Sequence, residues 1–374
     1  MKIFFKILIV SCAMLAGMGV YAQTFQESFD AFGRKDYAGA FTGFKKLAEK
    51  GNANAQSNLG WLYQNGLGVV ASDQQAIAWY KKASDQGFAS GQLKLGWMYD
   101  HGRGVAQDKK RAAVLYLKAA EQGELDAQFL MGEMYARGEG VAKDEQRSLY
   151  WYTKAAEQGD VVAQSIVGDI YAHGIGIAKN EALAASWYLK AATQGDVAAQ
   201  VNLAYLYGNG KNFTRDHQKA LYWYNKAVEQ NSKEAMQNLG VMYLQGIGVP
   251  KDEKKAFSLF SKAANLGHLA AQHSLGMMHF KGQGTVQDDK QAFYWLKKSA
   301  EQGYPDGMYN LGTLHALGRG THRDYEEAYF WMKLADIKNE GQLKVIDSIE
   351  KQLTTQQRSN ALDNIRVWKL KVEK

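Results

Sequence analysis

Apolar residues recur along this chain at helical spacing, in short bursts separated by glycine. Between Gly51 and Gln86, the residues Ala55, Leu59, Leu62 and Tyr63 share one face of a helix predicted over about residues 53–64. A second burst, Ala76, Trp79, Tyr80 and Ala83, predicts another helix over about residues 73–86. The same pair returns throughout the chain. Gly51, Gly87, Gly123, Gly159, Gly195, Asn231, Gly267, Gly303 and Asn339 are each 36 residues apart, which defines eight units over residues 51–338. One such pair cannot bury both of its faces, but a stack can, so the pattern predicts an all-α solenoid of antiparallel helix pairs.

The connections follow one rule. Every loop has glycine at its second position, from Gly66 to Gly318, which suggests a backbone conformation that a side chain would penalise. The residue before each second helix is Ser72, Asp108, Asp144, Asn180, Asp216, Asp252, Asp288 or Asp324. All of these can accept hydrogen bonds from the free N–H groups of a helix start. Gly or Asn closes each unit, as a left-handed helix stop requires. The first helices repeat a small residue (Gly60, Gly96, Gly132, Gly168, Ala204, Gly240, Gly276, Gly312). A mid-helix glycine costs about 1 kcal/mol relative to alanine, so its recurrence predicts a close helix–helix approach. The large Trp79, Trp151, Trp187, Trp223, Trp295 and Trp331 fill one aligned site in the second helices. The fifth unit departs from the rule: its loop reads GNGKNFTRD, with Asn212 where the second glycine stands elsewhere.

The ends are less regular. Residues 23–50, with Phe25, Phe29, Phe32, Tyr37, Phe41, Phe44 and Leu47, read as an N-terminal capping helix pair. Residues 339–374 read as C-terminal capping helices that seal the other end of the stack. Before all of this, the basic start MKIFFK, the apolar run from Ile7 to Val20 and the small-residue site Val20-Tyr21-Ala22 read as a signal peptide over residues 1–22. Cleavage between Ala22 and Gln23 would leave a periplasmic or secreted protein with no transmembrane segment in the mature chain. Ile9-Val10-Ser11-Cys12 also resembles a lipobox, which is the competing reading of this segment.

Composition narrows the function. The chain has 374 residues, 38 glycines, two prolines and one cysteine, Cys12, so the mature part has no disulfide and no thiolate metal site. A formal charge of +7, or +5 without Lys2 and Lys6, is modest for this length and argues against nucleic acid as partner. The basic loop residues Lys109, Lys110, Arg111, Lys143, Lys179, Arg215, Lys251 and Arg323 read as a solvated rim. The segment GRGVAQDKKRAAVLYLKAAEQG imitates a phosphate loop, yet a helix precedes it and near-copies recur in every unit. His279 and His315 stand where six other units carry tyrosine, which marks them as packing residues, and no pair of histidines has metal-ligand spacing. Ser348 and Lys351 match a Ser-x-x-Lys motif without the companion motifs of that chemistry. Glu133 and Asp169 could sit side by side, but no third group completes an acid–base site. The residues therefore point to no catalysis, no cofactor and no metal.

The repeated pattern A-Q-x-x-L-G-x-x-Y-x-x-G-x-G-(V/T)-x-x-D-x-x-x-A-x-x-W-Y-x-K-A-A-E-Q-G resembles the Sel1-like repeat family, within the tetratricopeptide-like superfamily. The resemblance covers residues 51–338 and implies a right-handed superhelix whose first helices line a concave groove. It also implies an adaptor or scaffold that binds other proteins and, for exported members, a role in the bacterial envelope. Residue matching would build the groove from Trp61, Leu93, Trp97, Phe129, Glu133, Asp169, Tyr205 and Tyr309, beside Ser57, Ser165, Val201, Gln237, Val241, His273, Met277 and Thr313. Trp61, Trp97 and Phe129 would either form a peptide-binding hot spot or pack against a neighbouring helix. A protein or peptide partner is the first expectation; an envelope glycan or a β-lactamase-like activity is the alternative.

Overall fold

Helix starts and stops follow the side chains. In this computed structural model, which describes residues 19–210, 214–335 and 340–372, Asp108 accepts the backbone N–H of Arg111 at 2.9 Å and Asp144 that of Arg147 at 2.9 Å. Ser72, Asp216, Asp252, Asp288 and Asp324 cap their helices in the same way. At the opposite ends, Gly87, Gly123, Gly159 and Asn231 take positive φ (78°, 90°, 96° and 62°). Gly210 is the exception among the loop glycines, with an extended φ of −53° and ψ of 133°, in the unit whose loop sequence departs. Asn212 lies outside the described residues, as do residues 1–18 with Cys12.

The chain divides into two units, residues 1–180 and 181–374. In the first, α1 (Gly19–Gly33) pairs with α2 (Tyr37–Glu49). There follow the pairs α3 (Ala53–Asn65) with α4 (Asp73–Asp85), α5 (Ala89–His101) with α6 (Lys109–Glu121), and α7 (Leu125–Arg137) with α8 (Glu145–Glu157), then α9 (Val161–His173). The second unit begins with α10 (Glu181–Thr193), which packs on α11 (Val197–Asn209). Helix α11 pairs with α12 (His217–Glu229), α13 (Lys233–Gln245) with α14 (Glu253–Asn265), α15 (Leu269–Lys281) with α16 (Asp289–Glu301), and α17 (Pro305–Leu317) with α18 (Tyr325–Leu334). Helices α19 (Glu340–Glu350) and α20 (Thr355–Val372) cover α18, burying Ile346, Ile349, Ala361 and Ile365. All described regular elements are helices. Within each unit the antiparallel pairs stack in chain order as a solenoid.

The recurring glycines explain the close approach. A Cβ at Gly96 would lie 2.8 Å from the Tyr116 ring, and one at Gly132 2.7 Å from Tyr152. In these repeats the aromatic ring of the second helix thus lies on bare backbone of the first, and Tyr80 and Tyr116 are fully buried. A glutamine pair closes most joints. Gln128, buried, donates to the Ala120 carbonyl of the preceding helix at 3.2 Å and accepts from Gln158 at 2.8 Å. The same side-chain pair forms at Gln56 with Gln86, Gln92 with Gln122, Gln200 with Gln230, and Gln272 with Gln302. In the sixth unit both partners are apolar, Met236 and Leu266, so the pair is lost as a pair.

Three joints are also held by loop-to-helix ion pairs. Arg103 reaches Asp73 of the unit before at 2.9 Å, and Arg319 reaches Asp289 through Nε at 2.9 Å. At the joint between the second and third units the signs are reversed, with Glu139 on the loop and Lys109 on the helix.

Candidate interaction surface

Among the first helices, α3 packs on α5 and α15 on α17. Structural duties leave little freedom in these helices: Ala55, Leu59 and Gly60 and their counterparts are buried in every unit. One column is different. In the first unit of the fold it runs Trp61, Trp97, Glu133, Asp169, and in the second Tyr205, Val241, Met277, Thr313. None of these eight residues is buried, and no two beyond the tryptophans are alike.

Their neighbours decide how each presents itself. Trp61 meets Phe32 edge-on at 5.5 Å, so part of its indole packs on the N-terminal helices. Trp97 stacks on His101 at 4.2 Å with planes 20° apart. Glu133 is paired with Arg137 at 2.9 Å, and the backbone carbonyl of Asp169 faces Nδ1 of His173 at 2.9 Å. Tyr205 stands 55% exposed. The adjoining column is more deeply set. Leu93 is 8% exposed and belongs to the core, Phe129 packs edge-on against Tyr152 at 5.4 Å, and Tyr309 is half-buried against the core of the last units. Leu93 is thus buried, whereas Trp61, Trp97 and Phe129 are all half-buried, both tryptophans packing in part against the core.

A charged cluster that the motif reading missed lies at the start of the same face. Lys94 donates to Ser90 at 2.7 Å, and burial lowers its pKa against the opposing pull of Glu124 and Asp126. Burial likewise raises the pKa of Glu124 and of Asp126, with Asp126 adding to the first and Asp160 to the second. The signal was present in the aligned units: Lys94 is the single charge in a column otherwise made of Asn58, Leu130, Ile166, Asn202, Asn238, Ser274 and Asn310.

The histidines are packing residues. His279 and His315 lie edge-on to Phe257 and Phe293, both at 5.3 Å, and their Nδ1 atoms have no hydrogen-bond partner. Burial lowers both pKa values. Four of the six tyrosines that occupy this site elsewhere carry a cation over the ring: Arg111 on Tyr99, Arg147 on Tyr135, Lys219 on Tyr207 and Lys255 on Tyr243. Beside Tyr63, Tyr171 and the two histidines, the cation position holds Gln75, Leu183, Gln291 and Glu327. Among the described residues, no group of three or more His, Cys, Asp or Glu side chains could hold a metal, and no helix is long and apolar enough to cross a membrane.

Eight consecutive segments, residues 53–88, 89–124, 125–160, 161–196, 197–232, 233–268, 269–304 and 305–335, match the Sel1 repeat. The chain belongs to the Sel1 repeat family. Among solved structures of this family, it is similar to a protective antigen of uropathogenic Escherichia coli strains that displays an SLR fold. Identity is 31%, with 94% of this chain and 85% of that one covered and a TM-score of 0.70. A Sel1 repeat protein from Oxalobacter formigenes is 30% identical, with 82% and 89% covered and a TM-score of 0.68. No curated protein matches the chain in sequence. The Sel1 repeat, like its tetratricopeptide relatives, is a non-catalytic protein-interaction scaffold.

Proposed function

We propose that this Sel1 repeat protein is exported to the bacterial envelope and holds a protein or peptide partner on its first-helix faces. The observation that carries the reading is the column from Trp61 to Thr313: partly accessible in every unit and different in nearly every one, on helices whose buried positions (the Ala55, Leu59 and Gly60 columns) stay small or apolar throughout. A repeat whose structural positions are occupied this uniformly has its specificity where the side chains differ. The preformed helical face also lowers the ordering cost of binding. Trp97 and Tyr205 are the aromatic anchors of the column, and Leu93, Phe129 and Tyr309 support it from beneath. Trp61, Glu133 and Asp169 complete the surface in the first unit. Export is supported by the signal-like start of the sequence and by the similarity to a protein described as a protective antigen.

The test is crosslinking in the intact envelope with Trp97→Val and Tyr205→Val, since the same column already carries Val241. Partner capture should fall about tenfold or more, which corresponds to about 1.4 kcal/mol, with unchanged circular dichroism. Undiminished capture refutes the surface assignment. N-terminal sequencing of the exported protein should begin at Gln23; a cytoplasmic, uncut chain would refute export.

A further inference from the structure

The accessible face of the first helices in the first unit of the fold has a chemistry of its own. Residues three, four and seven apart share a helix face. That register places Lys94 beside Trp97 on α5, Leu130 between Asp126 and Glu133 on α7, and Ile166 between Val162 and Asp169 on α9. Trp97 and Leu130 pack against the same core cluster and stay half-buried, as Ile166 does, while Val162 is 52% exposed. An apolar band thus crosses three successive first helices, and carboxylates stand at its edges.

Those carboxylates carry few structural duties at the start of α7. Glu124 occupies the N-cap and makes no cap hydrogen bond, whereas Asn52 and Asp160 cap their helices at 2.8 and 2.6 Å. Lys94 is the cation that faces Glu124 and Asp126, and Asp160 adds to the negative charge around Asp126. Burial raises the pKa of both carboxylates in spite of that ammonium, so the negative charge is only partly offset. At the starts and along the accessible faces of α5, α7 and α9, five carboxylates (Glu124, Asp126, Glu133, Asp160, Asp169) meet two cations, Lys94 and Arg137. With histidine neutral this is an excess of three negative charges, on a chain whose formal charge is +7. An apolar band alone accepts any apolar segment. A negative edge steers basic segments to it and rejects acidic ones.

We infer that the partner segment held on this face is cationic and amphipathic, with Lys or Arg side chains set against Glu124, Asp126 and Asp160 and apolar side chains laid on Trp97, Leu130 and Ile166. This rests on the first-helix surface proposed above and adds the chemistry of its occupant. Fluorescence polarisation of the purified protein tests it, with a fluorescein-labelled peptide of two Lys-Leu-Ala-Lys-Leu-Ala-Lys units and the same peptide with Glu for every Lys. The cationic peptide should bind with a Kd below about 100 μM at about 150 mM salt, and the acidic one at least about tenfold more weakly. Glu124→Gln/Asp126→Asn should weaken the cationic peptide about tenfold, as should Trp97→Val. Glu121→Gln/Glu157→Gln removes the same charge from exposed positions on second helices and should leave the Kd within about twofold. Circular dichroism establishes that each variant is folded, and the comparison of the two peptides on the parent protein needs no variant. The inference is overturned if the cationic peptide does not bind, if the acidic one binds as well, or if the two double variants behave alike. If envelope capture still falls with Trp97→Val in any of those cases, the surface stands and only its preference for a cationic partner is lost.

Discussion

Replacing Gln158 with leucine isolates the glutamine pair of the third repeat. Gln128 is 5% exposed, and the Gln158 amide is the donor to its Oε1, at 2.8 Å. Removing that donor strands a buried acceptor, which costs about 1–3 kcal/mol. The reverse change, Gln128→Met, is milder. The Gln158 amide keeps the Gly123 carbonyl at 2.8 Å and reaches water, and the Ala120 carbonyl keeps the Gly123 N–H at 3.0 Å. A loss of about 0.5–1.5 kcal/mol follows for that single variant, the ordinary net worth of one hydrogen bond. Making both changes together reproduces the Met236 and Leu266 of the sixth repeat, and no polar atom is stranded. The double variant should therefore be more stable than the sum of the singles predicts, by about 1 kcal/mol. Urea unfolding followed by circular dichroism for the four proteins gives this coupling directly, provided the slope with denaturant is unchanged across them. Losses that add to within about 0.5 kcal/mol would refute the argument that these glutamines are held as a pair.

Other perturbations separate backbone from packing and test the histidines. Gly140 has φ of 71°, and a Cβ there would lie 2.1 Å from the Lys109 carbonyl oxygen of the previous repeat. Gly140→Ala should lose more than about 2 kcal/mol, whereas Gly159→Ala, with φ of 96° but open space around it, should lose about 1 kcal/mol. Equal losses would refute the steric part of the reasoning. His279 and His315 have pKa values lowered from 6.5 by burial, so the unfolded chain takes up protons first as pH falls. Stability should be unaffected by these groups above pH 6.5 and decline as pH drops through 6.5 toward their folded values. In His279→Tyr/His315→Tyr, the slope of urea midpoint against pH in that window should flatten; an unchanged slope would show that other groups carry it.

Most of the fold was legible in the sequence because each repeat states the same local rules. Asp108 caps, Gly102 turns and Gly123 stops within one stretch of chain, and eight copies in register remove the ambiguity of any one. The presentation of the surface was harder to read. Leu93 and Trp97 are four residues apart on one helix, yet the first is core and the second is accessible. Trp61 packs edge-on against Phe32, and Phe129 edge-on against Tyr152. Such neighbours come from other helices, and a repeat pattern does not reveal them until the stack is built.

The reversed ion pair between the second and third repeats bears on how so repetitive a chain finds its own order. Modules this alike could dock out of sequence, for instance with the third laid directly on the first. That arrangement would set Glu139 against Asp73, two like charges, in place of Arg103 against Asp73. The sign reversal therefore acts as a lock and key for neighbours, distinguishing the next repeat from the one after it. Excising residues 87–122 should yield a shortened protein with a weakened joint, and Glu139→Arg within it should restore the match.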